Sequence, residues 1–175
     1  NGDVPTELTE RDLSSVAAVL DTANAFKFVS GKIGEDRFGS SPVRSGYMLL
    51  CSTELQPSFD GMSKFVSSWN YPNANNTTIS EFGSVLNFRV YTSSEAAVRR
   101  NSSLVSGRDV FLNLAVGQQA YAHIDQDGYS ANFLYRPPIF SGPLQLNSTL
   151  ALKFAQAQSI TQDTWLRIVA CTQAA

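Results

Sequence analysis

From Asp109 onward the pattern becomes almost wholly that of β-strands, and this constrains the fold more than any other feature of the chain. Val110, Leu112 and Leu114 alternate with Phe111, Asn113 and Ala115, and residues 120–124 resume the pattern after Gly117. A turn is expected at Asp125-Gln126-Asp127-Gly128, and Arg136-Pro137-Pro138 and Ser141-Gly142-Pro143 break the next stretch. Residues 150–159 and 164–171, on either side of Thr161-Gln162-Asp163, read as a closing hairpin. In it Trp165, Arg167 and Val169 face away from Leu166, Ile168 and Ala170. A chain with such a second half must build a sheet.

The first half follows a different rule. Thr9 with Asp12 three residues later is a capping-box-like start, and Leu13, Val16, Ala17 and Leu20 recur at helical spacing, which predicts an amphipathic helix over 10–24. Gly31, Gly34, Gly39 and Pro42 predict a long loop over 30–45. The continuous apolar run within 46–51 predicts a strand covered on both faces. Pro57 can open a second helix, and Phe59, Met62, Phe65 and Val66 carry its spacing to about Trp69.

Residues 70–78 offer almost nothing to a core and predict an exposed loop. Residues 85–92 alternate as a half-buried strand, with Leu86, Phe88 and Val90 opposite Asn87, Arg89 and Tyr91, and 96–108 read as polar connector. The expected class is α+β, helices first and a meandering sheet second.

A length of 175 residues suits one domain or two small lobes. A domain of roughly 150 residues buries about 70% of its unfolded surface, so no metal or disulfide framework is needed. With 16% charged and 43% hydrophobic residues the composition is that of a soluble globular protein. The formal net charge of −2 argues against a dedicated nucleic-acid binder, which needs many cations against phosphates. Cys51 and Cys171 lie in apolar runs and are expected as buried, reduced thiols.

Residues 1–9 have neither the basic start nor the apolar core of a signal peptide, and no apolar run reaches membrane-spanning length. The first residue is not Met, so the chain is expected to be cut from something longer. Asn75, Asn76, Asn101 and Asn147 match the glycosylation pattern, as a chain rich in Asn, Ser and Thr does by chance.

No chemistry-bearing constellation emerges. One histidine, His123, and two distant cysteines give no zinc spacing. Asp125 and Asp127 imitate a calcium loop, yet Gly128 comes two places early and Arg136 stands where a bidentate Glu belongs, so a tight turn explains them. A hydrolase would need His123 as base, and no nucleophile elbow accompanies it. A strand histidine of structural role is the simpler reading.

Neither phosphate-binding glycine pattern occurs. Glu7, Glu10 and Asp12 suit a helix start electrostatically. Arg99, Arg100 and Arg108 form a basic cluster that reads as a solvated connector or as a contact to a neighbouring subunit. Phe38, Trp69 and Tyr71 lie in expected loops, where aromatics often mark protein contacts. No catalytic, cofactor-binding or metal-ligating residue is expected, and no enzyme.

The order of segments resembles the C-terminal portion of tailed-bacteriophage major capsid proteins of the Hong Kong 97 fold. Five stretches carry the resemblance: Leu8-Thr9-Glu10-Arg11-Asp12-Leu13 with its helix; Gly46-Tyr47-Met48-Leu49-Leu50-Cys51 followed by Pro57; the run from Glu81-Phe82-Gly83 to Val90-Tyr91-Thr92; Asp109-Val110-Phe111 through Gly117 to Ala120-Tyr121-Ala122; and Gly142-Pro143-Leu144, Leu152-Lys153-Phe154-Ala155 and Trp165-Leu166-Arg167-Ile168. The family's N-terminal arm, extended loop and spine helix would precede residue 1.

The resemblance implies an axial lobe, mainly 1–91 with two helices and a small sheet, and a β-rich peripheral lobe, mainly 92–175. Loop 70–80 would lie near the five-fold and six-fold axes. It also implies a coat subunit that self-assembles in bacterial cytoplasm into an icosahedral shell around double-stranded DNA. Its partners would be copies of itself in hexamers and pentamers, then scaffold, portal or decoration proteins, with non-specific DNA contact and no membrane. The alternative is a virion decoration or adhesion module that binds a ligand through loop 70–80.

Overall fold

The structure is a computed structural model that describes residues 4–28, 45–71, 80–125, 132–138 and 148–173. The chain divides into two units, residues 1–120 with 162–175, and residues 121–161. Each is treated by itself.

In the larger unit, α1 (Glu10–Thr22) begins where the sequence places it. The Thr9 hydroxyl accepts the Asp12 N–H, the Asp12 carboxylate accepts the Thr9 N–H at 3.1 Å, and Leu13, Ala17 and Leu20 are buried along one stripe. The helix stops as Asn24 turns left-handed at φ 54°.

The unit's sheet has seven strands: β1 (Tyr47–Ser52), β2 (Phe65–Ser67), β3 (Glu81–Val85), β4 (Phe88–Ser93), β5 (Val98–Ser102), β6 (Arg108–Val116) and β11 (Leu166–Cys171). They run in the order β11-β6-β1-β4-β3-β2, with β5 added to β6. β1 lies parallel to β4, with Tyr47 opposite Phe88, and antiparallel to β6, with Leu49 opposite Ala115. The core lies between α1 and this sheet: Leu13, Leu20, Tyr47, Leu49, Leu55, Phe59, Val85, Phe88, Val90 and Phe111 are sealed from solvent.

Several expectations are corrected. The second helix, α2, covers only Gln56–Asp60 and gives way at Gly61. Its expected continuation becomes a turn and β2, because Glu10 holds that turn by accepting the Lys64 N–H at 2.8 Å and the Ser63 hydroxyl at 3.0 Å. Phe65, spaced as if helical, stacks on Phe82 from a strand, so the apolar spacing served the same core through different backbone.

The expected single strand over 85–92 is a hairpin, β3 and β4, joined through Leu86 and Asn87 with Val85 opposite Phe88. Leu86 sits at φ 52°, where glycine is the usual occupant, so the turn carries no ordinary signature. The polar connector over 96–108 contains β5, since main-chain pairing to β6 needs no apolar side chains. β1 is not covered on both faces, for Leu50 is exposed while Tyr47, Leu49 and Cys51 are buried.

Nor do residues 150–159 and 164–171 form a hairpin. β11 pairs with β6 over six positions from Leu166–Val116 to Cys171–Phe111, which buries Cys171 in the core. The earlier stretch splits at Phe154 and Ala155 into two strands that belong to the smaller unit. At the crossing into β11, the Trp165 indole donates to the Ala23 carbonyl at 3.1 Å and meets Phe26 edge-on.

The smaller unit holds two strand pairs. β7 (Tyr121–Asp125) pairs antiparallel with β10 (Gln156–Ile160), and β8 (Asn132–Arg136) pairs antiparallel with β9 (Thr149–Lys153) as a ribbon. Residue 91 is not a boundary between the units, because the seven-stranded sheet draws strands from both sides of it.

Candidate functional site

His123 stands on the exposed strand β7 opposite Gln158, with its Nε2 3.4 Å from Gln156 Oε1. The Asp125 backbone pairs with Gln156, while the turn holding Asp127 lies outside the described residues. Among the described residues no group of three or more His, Cys, Asp or Glu is arranged to hold a metal ion.

Cys51 and Cys171 are buried free thiols, as expected. Burial raises both, Cys171 to about 11, so neither is a ready nucleophile at neutral pH. They lie on strands separated by β6, whose Asn113 donates its amide to Cys171 Sγ at 3.0 Å. The Asn113 Oδ1 is buried with no hydrogen-bond partner among the described residues.

The arginine cluster comes apart. Arg100 donates to Glu54 at 2.9 Å and to Asp109 at 2.6 Å, tying the turn after β1 to β5 and β6, and its hydrogen bonds hold both carboxyls below their ordinary range. Arg99 and Arg108 are exposed. Arg89, expected on an outer face, is buried and forms a two-pronged pair with Glu81 at 3.1 and 2.6 Å. Tyr71 donates to the same Glu81 at 3.1 Å, so it is a structural aromatic, its hydroxyl pushed up to about 12 chiefly by burial.

Trp69 is 93% exposed and keeps the character of a contact residue. Phe38, most of loop 70–80 and the Asn75, Asn76 and Asn147 positions lie outside the described residues, while Asn101 sits exposed in left-handed backbone at φ 51°.

Helix start and sheet edge meet differently. Asp12 completes the α1 cap, Glu10 reaches the α2–β2 turn, and Glu7 bridges to Thr172 beside the end of β11. Between residues 4–8, α1 and β11 lies a groove of about 660 Å³, open and of mixed polarity. Its lining includes the polar residues Glu7, Arg11, Asp12 and Ser15 beside the apolar Leu8 and Val16.

What sequence reasoning passed over is the ribbon. On β8 and β9, Phe133 stands opposite Leu152 and Tyr135 opposite Leu150, so these four side chains share one face. Their exposures are 74%, 53%, 65% and 71%. The other face carries Leu134 and Arg136 opposite Ala151 and Thr149, with Lys153 beyond them. The signal was present as two short apolar runs, Phe133-Leu134-Tyr135 and Leu150-Ala151-Leu152, each closed by polar residues.

No helix among the described residues is long and apolar enough to cross a membrane. Among solved structures, the chain is similar in fold to a protein in the capsid of Ralstonia phage GP4, with a TM-score of 0.65 and 11% identity. The match covers 97% of this chain and 48% of that one, so the chain spans about half the length of the capsid protein. No family model matches the sequence, and no curated protein matches it. The chain therefore has a capsid-like, mixed helix and strand fold.

Proposed function

We propose that this chain is part of the coat subunit of a tailed bacteriophage, a structural protein and not an enzyme, with the Hong Kong 97 fold. The observation that carries the reading is the fold match across almost the whole chain to a phage capsid protein. The ribbon supports it, because a subunit that works by repeated docking needs exposed apolar surface and no converging catalytic groups.

In this reading copies gather as hexamers and pentamers into an icosahedral shell around double-stranded DNA, assembled in the bacterial cytoplasm. Scaffold, portal and decoration proteins are further partners, and contact with DNA is non-specific, in keeping with a net charge of −2. The larger unit is assigned to the axial lobe and the ribbon to the peripheral lobe. That assignment shifts the lobe boundary from residue 91 to the unit boundaries and is supported by the continuity of the seven-stranded sheet.

Electron microscopy of the native protein, produced with and without its co-expressed neighbours, tests the proposal. Closed shells, or rings and sheets of subunits, are expected. A protein that stays monomeric at every concentration in both settings overturns it.

A further inference from the structure

Strand alternation encodes a sheet with one wet face and one covered face, and a slip of one residue would exchange them. On β8 and β9 one face is mixed: Arg136, Thr149 and Lys153 stand on it with Leu134 and Ala151 between them. The other face, Phe133, Tyr135, Leu150 and Leu152, consists of large aromatic and leucine side chains and is 53–74% exposed. A two-stranded ribbon in water is marginal by itself and becomes stable when its apolar face packs against another layer.

We infer that this face docks on the same face of a second copy of the chain, two ribbons packing about a two-fold axis into a four-stranded sandwich. The inference rests on the coat-subunit reading and names one of its contacts. Area argues for a copy of the same face. A large side chain offers about 200 Å² when fully exposed, so the four exposures amount to roughly 500 Å² per ribbon. Two such faces remove about 1,000 Å² from water, the threshold at which a specific contact becomes plausible.

Chemistry agrees with geometry. Two aromatic and two leucine side chains in opposed pairs carry no charge, so the face meets its own copy without burying an unpaired ion. In an isologous contact each Phe or Tyr can settle over a Leu of the other ribbon. The cationic Arg136 and Lys153 stay on the outward faces, where like charges remain hydrated.

Sedimentation of the native chain tests this, with Leu150→Lys as the breaking variant and Leu134→Lys, on the opposite face, as control. Leu150→Lys should raise the dissociation constant of the pair about 30-fold or more, the effect of losing a central anchor, and Leu134→Lys should leave it within about threefold. Single cysteines at positions 133, 135, 150 and 152 supply a second readout. At least one should give a copy-to-copy disulfide under mild oxidation, while the parent chain, whose Cys51 and Cys171 are buried, gives none.

Shells that form identically with Leu150→Lys, together with no cross-link at any of the four positions, overturn the ribbon pairing and leave the coat reading standing. Cross-linking to another segment or another protein also overturns it, and gives the face to that occupant. A parent chain that neither pairs nor forms shells sinks both.

Discussion

The two units spend the same kinds of residue in opposite ways. In the larger, Phe59, Tyr47 and Phe88 are sealed beneath α1, and even the charged pair Glu81 and Arg89 is taken inside and satisfied. In the ribbon, Phe133, Tyr135, Leu150 and Leu152 share one face of a strand pair and bury little. The contrast teaches that a clean strand pattern reports a face, and that only the presence of a second layer turns the face into a core. One region buries its apolar face within its own unit; the other leaves its apolar face exposed.

The contrast can be broken or sharpened by substitution. Phe59→Ala should cost about 4 kcal/mol in urea unfolding, as truncation of a fully buried aromatic does. Phe133→Ala should cost the isolated chain within about 0.5 kcal/mol. Equal losses for the two variants would erase the distinction between the units. Glu81→Gln should cost about 3 kcal/mol, because Arg89 is left as a buried cation without its counter-charge, whereas Arg100→Ala in the exposed cluster should cost under about 1 kcal/mol.

Gly83→Ala should cost about 2 kcal/mol. A Cβ there would lie 2.5 Å from the Val66 carbonyl and from the Phe65 ring, so β2 must move away from β3. Circular dichroism in the aromatic region would report the loss of the Phe65–Phe82 stack.

The smallest effect is that of acid. Asp21 accepts hydrogen bonds from Lys27 and from the buried Tyr47 hydroxyl, which hold its carboxyl below its ordinary value of 3.8. A depressed folded value means that the stabilisation is complete above that ordinary value and is lost as pH falls through the lower folded one. Unfolding midpoints measured from pH 6 downward should therefore fall below about pH 4, and Asp21→Asn should flatten that part of the fall. A profile unchanged by the substitution would mean that the Tyr47 hydroxyl gains nothing from the charge.

Much of the larger unit was legible. The Thr9–Asp12 pair placed the start of α1, and its stripe of Leu13, Ala17 and Leu20 is the buried stripe. The apolar run at Tyr47 gave β1, and the alternation after Asp109 gave β6, β7 and β11. The misses share a cause. Leu86 bends the chain where no glycine or Asn-Gly marks a turn, and Phe65 reaches the core from a strand although its spacing with Phe59 and Met62 is helical. β5 pairs through its backbone alone, with almost no apolar signature. Of the candidate surface, the two apolar runs were readable, but their exposure was not.

The sequence by itself determined the faces: which side chains along each strand or helix travel together, since periods of 2 and 3.6 are local geometry. Tertiary structure alone decided the partners: that β1 lies between β4 and β6, and that β10 and β11, adjacent in the chain, join different sheets. Pairing is a competition among distant segments, settled by which combination buries the most apolar surface with its backbone satisfied, and no local repeat carries that information.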